Sequence, residues 1–146
     1  MNKEVENYTS IFVEAVLEKK TESVLALDVS GLTSVADAFI IGSGSSSRQV
    51  KSIADSVKKS LSKKGKKPLS MDGEKEGTWV LLDYGDVVIH LFYEPVRRFY
   101  DLEGLWMDAP RICESLISSL ESKAEPLDSD DEDGYWVEGS DDYEEF

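Results

Sequence analysis

The sequence predicts a single α/β domain built on a small mixed β-sheet with flanking helices. Segments with the periodicity of amphipathic helices alternate with short runs rich in β-branched and aromatic residues. Of the 146 residues, 40% are hydrophobic, which is enough for one core. The composition changes after Ala124, so we assign residues 1–124 to the domain and residues 125–146 to a separate acidic tail.

Two amphipathic helices are predicted in the first half of the chain. The first covers EVENYTSIFVEAVLEKK, with glutamates early and lysines late, as the helix dipole favours. Its apolar residues recur at helical spacing: Val5, Tyr8, Phe12, Ala15 and Val16. The second covers SSSRQVKSIADSVKKSLSKKG, where Ser46 and Gln49 match a capping box. Between them, residues 23–29 and 38–44 read as two strands.

The second half predicts three strands and a helical end. KPLSM is typical of a short edge strand, DGEKEG of a loop, and WVLLDY with DVVIHLFY of a hairpin that turns at Tyr84 and Gly85. The remaining segment, EPVRRFYDLEGLWMDAPRICESLISSL, is predicted to be helical. It contains the single cysteine, Cys113, which we expect to be a buried small hydrophobe rather than a catalytic thiol.

The predicted hairpin has one apolar side and one mixed side. With the turn at Tyr84 and Gly85, Trp79 faces His90. We call this side the mixed face; it bears Trp79, Leu81, Asp83, Asp86, Val88 and His90. The other side is wholly apolar and belongs to the core: Val80, Leu82, Val87 and Ile89. The mixed face is typical of a partner-binding surface, because tryptophan offers a large contact area. Alternatively, helices cover this side too and its polar residues lie at the rim.

The sequence gives little support for a catalytic site or a metal site. Residues 42–44 (Gly-Ser-Gly) precede a helix and could cradle an anion, but serines there are also ordinary caps, and the lysine of a P-loop is missing. Asp83 and Asp86 straddle a turn instead of alternating along one strand, as a two-metal site would require. One histidine and one cysteine cannot assemble a zinc site. We therefore expect no catalytic residue, metal or cofactor.

The negative charge is concentrated at one end. Residues 125–146 contain eleven acids and no base, which leaves nineteen acids against sixteen bases in residues 1–124. Such a tail is predicted to be disordered. Its aromatic residues, Tyr135, Trp136, Tyr143 and Phe146, could dock on a basic partner or on the domain's own lysines; the alternative is a solubilising extension.

Lysines cluster at the end of the second predicted helix. They are Lys58, Lys59, Lys63, Lys64, Lys66 and Lys67. A solvated helix end explains them, since cations suit the C-terminus of a helix. Contact with RNA phosphates is the alternative, and it predicts binding that weakens with salt.

Three blocks of the sequence together resemble the ribosomal silencing factor family, RsfS, also called Iojap. They are LDVSGLTSVADAFIIGSGSSSRQVKSIADSV, KPLSMDGEKEGTWVLLDYGDVVIHLF and RRFYDLEGLWMDAP, in this order within residues 3–110. The resemblance implies a nucleotidyltransferase-like fold without the catalytic carboxylates, and a binding protein instead of an enzyme. It implies a translational repressor that binds the large ribosomal subunit through its fourteenth protein and sterically blocks joining of the small subunit when nutrients are scarce.

The resemblance also implies a partner-binding surface. Its residues are Trp79, Met71, Asp72, Glu76, Asp83, Asp86 and His90. Two positions depart from the family: Asp72 stands where Glu is usual, which shortens the side chain available for a salt bridge, and Met107 stands where Gly is usual. Met107 indicates a different local turn or an additional apolar contact. The ribosomal RNA contact would fall to Lys58, Lys59, Lys63 and Lys64.

Further expectations concern assembly, location and an alternative activity. The resemblance and the aromatic face favour a homodimer. The N-terminus MNKEVENYTS lacks the pattern of a secretory signal, and no run of about 18 apolar residues exists, so we expect a cytoplasmic protein without membrane insertion. The alternative function is a nucleotidyltransferase-like enzyme or nucleotide-binding protein that uses residues 42–47 and Asp28.

Overall fold

The computed structural model describes residues 3–124, and the predicted acidic tail lies outside them. The described chain forms one mixed α/β domain. Its elements are α1 (Lys3–Val16), β1 (Glu22–Asp28), β2 (Ala38–Gly44), α2 (Ser47–Lys63), β3 (Ser70–Asp72), β4 (Trp79–Asp83), β5 (Val87–Tyr93), α3 (Glu94–Tyr100), α4 (Leu102–Leu105), β6 (Arg111–Ile112) and α5 (Glu114–Glu121).

The six strands form one sheet in the order β3-β4-β5-β2-β1-β6. Strand β2 is central and every one of its residues is buried. It pairs antiparallel with β1 and parallel with β5, so the sheet is mixed, as the sequence predicts. The short strand β3 forms one edge, which confirms the predicted edge strand.

Helices α1, α2 and α5 cover one side of the sheet and enclose the main core. The apolar stripe of α2 is fully buried there: Val50, Ile53, Ala54, Val57 and Leu61. From β4 and β5 the core receives Val80, Leu82, Val87 and Ile89, which confirms the predicted apolar side of the hairpin. Among residues 3–124, no helix combines the length and apolar character that crossing a bilayer requires.

A second, smaller core lies on the opposite side of the sheet. It contains Leu27, Val29, Phe39, Ile41, Val88 and Phe92. Val96 of α3, Leu102 of α4 and Trp106 pack over it. The segment after the hairpin is therefore not a simple helical end, because it folds across the sheet and covers part of the mixed face.

Helix α2 begins with a partial capping box. The Ser46 hydroxyl accepts a hydrogen bond from the backbone N–H of Gln49 at 3.1 Å. The Gln49 side chain reaches back to the backbone N–H of Ser45 at 2.9 Å, one residue before the position expected for a complete box. The predicted helix start is thus confirmed, with a shifted reciprocal bond.

The predicted turn of the hairpin is wrong by one residue. Tyr84 pairs with Val87, so Gly85 and Asp86 form the turn, and Gly85 has φ +92°, which glycine tolerates at this first central position. Trp79 consequently pairs with Phe92, and His90 pairs with Leu81. A shift of two in the pairing preserves which side chains share a side of the sheet. Trp79, Leu81, Asp83, Val88 and His90 therefore share one side of the sheet as predicted, and Asp86 lies in the turn at its end.

Two other predicted boundaries are wrong. Helix α1 ends at Val16, so Lys19 and Lys20 follow the helix instead of forming its last turn. Residues 111–112 form strand β6 beside β1 within the segment predicted to be helical. Cys113 is buried as predicted, but it caps α5 at φ +61° and does not lie inside a helix.

Candidate functional site

Trp79 lies at the start of β4, half-buried between aromatic neighbours. Its ring centroid is 4.8 Å from that of Phe92, 5.1 Å from that of Tyr100 and 6.0 Å from that of His90. The indole N–H donates to Nδ1 of His90 at 3.2 Å. The tryptophan is thus fixed in orientation while part of its ring faces solvent.

His90 is buried beneath Trp79 on the neighbouring strand. It is 6% exposed, and its ring meets that of Phe39 edge-on at 5.1 Å. Burial lowers the pKa of His90 to about 4, because the charged imidazolium would lose its hydration. His90 is therefore neutral near pH 7. Since Nδ1 accepts the indole hydrogen bond, the ring proton resides on Nε2, which has no partner among the described residues.

Each of the two interpretations of the mixed face, a surface open to a partner and a face covered by helices, holds for one of its two strands. The β5 half is covered: Val88, His90 and Phe92 are all buried. The β4 half is open, because Trp79 and Asp83 are only half-buried. Helical segments therefore cover one strand of this face, and the other strand remains accessible to a partner.

Strand β3 places two of the predicted site residues on opposite sides of the sheet. Asp72 pairs with Leu81 and so lies on the side of Trp79. Met71 pairs with Leu82 and lies on the helical side, half-exposed at the edge of the sheet. Glu76 is exposed in the loop that joins β3 to β4.

Asp83 and Asp86 lie at the turn of the hairpin, away from Trp79. The Asp83 carboxylate accepts the backbone N–H of Gly85 at 2.8 Å, which fixes the turn. Asp86 is exposed, and its carbonyl accepts the backbone N–H of Asp37 at 2.8 Å. Asp83 lies four residues after Trp79 on the strand, or about 13 Å away at the usual rise per residue. The predicted site residues therefore form two groups, one at each end of β4.

Sequence reasoning missed an exposed apolar group beside Trp79. Phe99 and Tyr100 end α3 with 80% and 56% of their surfaces exposed, and their rings are in contact at 5.1 Å. Leu105 and Met107 follow in the next turns and are also exposed. One signal was present: adjacent helical residues point about 100° apart, so neighbouring aromatics cannot both face the core. Met107 makes no extra contact with the core.

The predicted lysine cluster lies on the helical side of the sheet, opposite Trp79. Lys58 pairs with Glu74 and Asp55, and Lys64 lies 3.7 Å from Glu14. The ammonium group of Lys66 lies over the ring of Tyr8. By contrast, Lys59, Lys63 and Lys67 have no ion pair with any residue from 3 to 124. The structure does not bring these lysines together with the mixed face.

The glycine stretch considered for anion binding is part of a strand. Gly42, Ser43 and Gly44 are the buried last residues of β2. The hydroxyl of Ser43 accepts a hydrogen bond from Arg97 at 2.7 Å, and Asp28 accepts the backbone N–H and the hydroxyl of Ser30. Across residues 3–124, no group of three or more His, Cys, Asp or Glu side chains could hold a metal ion.

Comparison with known proteins yields consistent matches. The family model described as "Ribosomal silencing factor during starvation" matches residues 2–140. Ribosomal silencing factor RsfS of Halalkalibacterium halodurans is 43% identical over 107 residues, covering 73% of this chain and 92% of the relative. A crystal structure of a Chromobacterium violaceum protein superposes with a TM-score of 0.67 at 38% identity, covering 73% of this chain and 87% of that one.

A more distant relative is also informative. It is the mouse protein named Mitochondrial assembly of ribosomal large subunit protein 1. It is 26% identical over 99 residues, which are 66% of this chain and 43% of the mouse protein.

Proposed function

Because the chain belongs to the ribosomal silencing factor family, we propose that it represses translation by docking on the large ribosomal subunit and blocking attachment of the small subunit. The family description names silencing during starvation, which supports nutrient limitation as the condition. The name of the mouse relative supports the large subunit as the partner. The proposed place of action is the cytoplasm, where such a factor meets ribosomes.

The observation that carries the proposal is the aromatic group around Trp79. Tyr100 packs on Trp79, and Phe99 packs on Tyr100, so three aromatic rings form one accessible patch. Asp72 lies on the same side of the sheet. We call Trp79, Phe99, Tyr100 and Asp72 the docking surface. Aromatic anchors beside a charged rim are the usual composition of an interface hot spot.

The proposed contact on the ribosome is the fourteenth protein of the large subunit. Asp72 and the nearby exposed Glu76 would attract basic side chains, and such charges mainly set the association rate and the specificity. The remaining acids of the predicted site, Asp83 and Asp86, lie at the turn and would contribute at the rim, where ion pairs are weak.

Contact between ribosomal RNA and Lys58, Lys59, Lys63 and Lys64 is a separate proposal. These lysines lie on the opposite side of the sheet from Trp79, so RNA would have to reach round the edge formed by β3. Each phosphate neutralised on single strands would change the slope of log affinity against log salt by about −0.7. Measuring that slope for the full chain and for Lys59→Gln with Lys63→Gln decides whether these two lysines contribute.

The decisive experiment is co-sedimentation with isolated large subunits. We expect the full chain to pellet and Phe99→Ala to remain in the supernatant. Val35→Ala is the matched control, because Val35 is 76% exposed on the loop between β1 and β2, and this variant should still pellet. A full chain that fails to pellet overturns the proposed partner. Equal pelleting of both variants places the contact elsewhere.

The steric mechanism needs a second measurement. Adding small subunits to the loaded large subunits should give less joined ribosome than adding them to free large subunits, as light scattering reports. Phe99→Ala should restore joining. If the protein stays bound while joining proceeds normally, it does not act by steric exclusion.

We further propose that the chain has no enzymatic activity, in line with a family named for silencing. The stretch from Gly42 to Gly44 is strand backbone, and its serine hydroxyl is occupied by Arg97. Calorimetry with nucleoside triphosphates and magnesium should give no heat of binding. Saturable heat would revive the alternative of a nucleotide-binding protein.

A homodimer through the docking surface is our proposal for the free protein. A second copy on this surface would exclude the ribosome, so dimerisation and docking would compete. Sedimentation velocity over a range of concentrations should show dimer for the full chain and monomer for Phe99→Ala.

A further inference from the structure

A groove on the helical side of the sheet lies where the described chain ends. It has a volume of about 470 Å³ and runs between the end of α1, the middle of α2 and the end of α5. Leu17 and Leu120 supply its apolar part, and Lys64 and Lys123 supply basic groups. Lys123 directly precedes Ala124, the last described residue, so the described part of the chain ends at the groove.

The acids that line this groove are already engaged. Glu14 lies 3.7 Å from the ammonium group of Lys64, and Glu18 accepts a hydrogen bond from the hydroxyl of Ser60 at 2.7 Å. They therefore offset only part of the positive charge. Lys19, a third lysine at the groove, also has a contact of its own.

Further positive charge extends from the groove along α2. Ser56 lines the groove, and Lys59 and Lys63 follow it at three and seven residues. At 100° per residue these two lysines project within about 60° of Ser56, so they share its side of the helix. Both are exposed and have no ion pair within the described part of the chain. We call the groove with Lys59 and Lys63 the basic groove.

We propose that the acidic segment 125–146 docks on the basic groove of the same molecule. The segment carries eleven acids and no base, and it begins beside Lys123. Twenty-two residues can extend about 75 Å, so reach does not limit the contact. A tethered segment has an effective concentration in the millimolar range, so weak ion pairs suffice to populate the docked state. Tyr135 or Trp136 would supply the group that covers Leu17 and Leu120.

Docking of this segment has a consequence for RNA binding. The bound acids would occupy Lys59 and Lys63, so the segment would compete with the RNA contact proposed above and weaken the binding of RNA by the full chain. The docking itself does not depend on the ribosome, and it can succeed or fail whatever the ribosomal experiments show.

A spin label in the segment tests this contact in the full chain. Ser140→Cys supplies a second thiol for the label. Cys113 is buried and its pKa is raised to about 11, so it remains an unreactive thiol at pH 7. In nitrogen-15 spectra we expect the amide signals around Lys59 to Lys64 to lose more than half their intensity. The loss should disappear near 1 M salt, where the Debye length is about 3 Å.

Matched variants complete the test. Lys59→Gln with Lys63→Gln should abolish the intensity loss, whereas Lys3→Gln with Lys75→Gln removes the same charge from other exposed positions and should preserve it. Uniform spectra without local broadening would overturn the proposal. So would equal broadening when spin-labelled chains are mixed with isotope-enriched chains that carry no label, because that result assigns the groove to a second copy.

Discussion

The indole N–H of Trp79 donates to Nδ1 of His90 at 3.2 Å, and this bond couples the accessible edge of the sheet to its second core. Trp79 is half-buried with part of its ring facing solvent, and His90 lies against Phe39 beneath it. The bond requires a neutral imidazole, since a protonated Nδ1 cannot accept. The orientation of the Trp79 side chain and the protonation state of the buried His90 therefore depend on each other.

The first prediction concerns stability in mild acid. The pKa of His90 is about 4 when folded and 6.5 when unfolded, so between these values the unfolded chain binds more protons. The contribution of neutral His90 to the free energy of unfolding is therefore complete above about pH 6.5 and declines as the pH falls towards 4. Between pH 7 and 5 the loss from this group should be about 2 kcal/mol.

Urea unfolding at the two pH values measures that loss. His90→Gln is the reference, because glutamine can still accept the indole hydrogen bond and does not titrate. The difference between the two proteins isolates His90 from the carboxylates. Parallel pH profiles would show that the imidazole stays hydrated in the folded state.

The second prediction separates the binding role of Trp79 from its packing role. Trp79→Ala should weaken binding to large subunits by about 2 kcal/mol, or roughly 30-fold, but it also removes contacts with Phe92 and His90. Trp79→Phe retains one aromatic ring but removes the N–H donor and the second ring of the indole. Its binding should be weakened much less than that of Trp79→Ala.

Binding assays combined with thermal unfolding distinguish the two roles. If Trp79→Ala unfolds, Trp79 acts as a core residue, and the docking surface must then be judged from Tyr100→Ala. Tyr100 is more exposed than Trp79 and can be truncated at little cost to the fold.

The third prediction concerns Arg97, which fastens α3 to the sheet. Its guanidinium is buried and donates to the carbonyl of Ser23, the hydroxyl of Ser43 and the carboxylate of Glu103, all at 2.7 to 2.9 Å. Arg97→Met leaves these acceptors without a donor and should cost about 3 kcal/mol.

Arg98→Met is the matched control for Arg97. The Arg98 side chain is 70% exposed and pairs with Glu94 at 3.1 Å, so its loss should cost less than about 1 kcal/mol. Urea unfolding compares the two variants. Equal costs would mean that solvent replaces the buried contacts of Arg97.

The fourth prediction concerns the close approach of Gly42 to Thr21. A Cβ at residue 42 would lie 2.7 Å from the Thr21 methyl group. Gly42→Ala should therefore destabilise the fold by about 1 to 3 kcal/mol through overpacking. Gly31→Ala meets no atom within 4 Å and serves as the control.

Thr21→Ser should relieve the Gly42→Ala penalty. Serine lacks the methyl group but keeps the hydroxyl that donates to the carbonyl of Val16 at 2.8 Å. A double-mutant cycle by urea unfolding should show a favourable coupling between the two substitutions. Additive effects would show that strand β2 shifts away instead.

The elements with strong local signals were predicted well. Strand β2 matches its predicted bounds, because seven apolar or small residues between turn residues leave little freedom. Helix α2 has both a capping serine and an unbroken apolar stripe. The two sides of the hairpin were also assigned correctly, since the side chains of a strand alternate whatever the position of the turn.

The features that were missed arise from tertiary contacts or from very short elements. Strand β6 has two residues, too few for any periodicity, and it exists because it pairs with Ala26 and Leu27. The second core is covered by Trp106 and Leu102, which no local pattern relates to β5. Phe99 was passed over because a seven-residue helix is too short to reveal which of its sides is exposed.

The parallel pairing of β2 with β5 has a consequence for synthesis of the chain. Ala38 pairs with Val87, which is translated 49 residues later. At about 5 to 20 residues per second, strand β2, whose residues are all buried in the folded protein, waits several seconds with one edge open. During that interval the nascent chain exposes a site for strand addition. We therefore expect a nascent chain halted before β5 to aggregate or recruit chaperones, and one halted well after β5 to escape both.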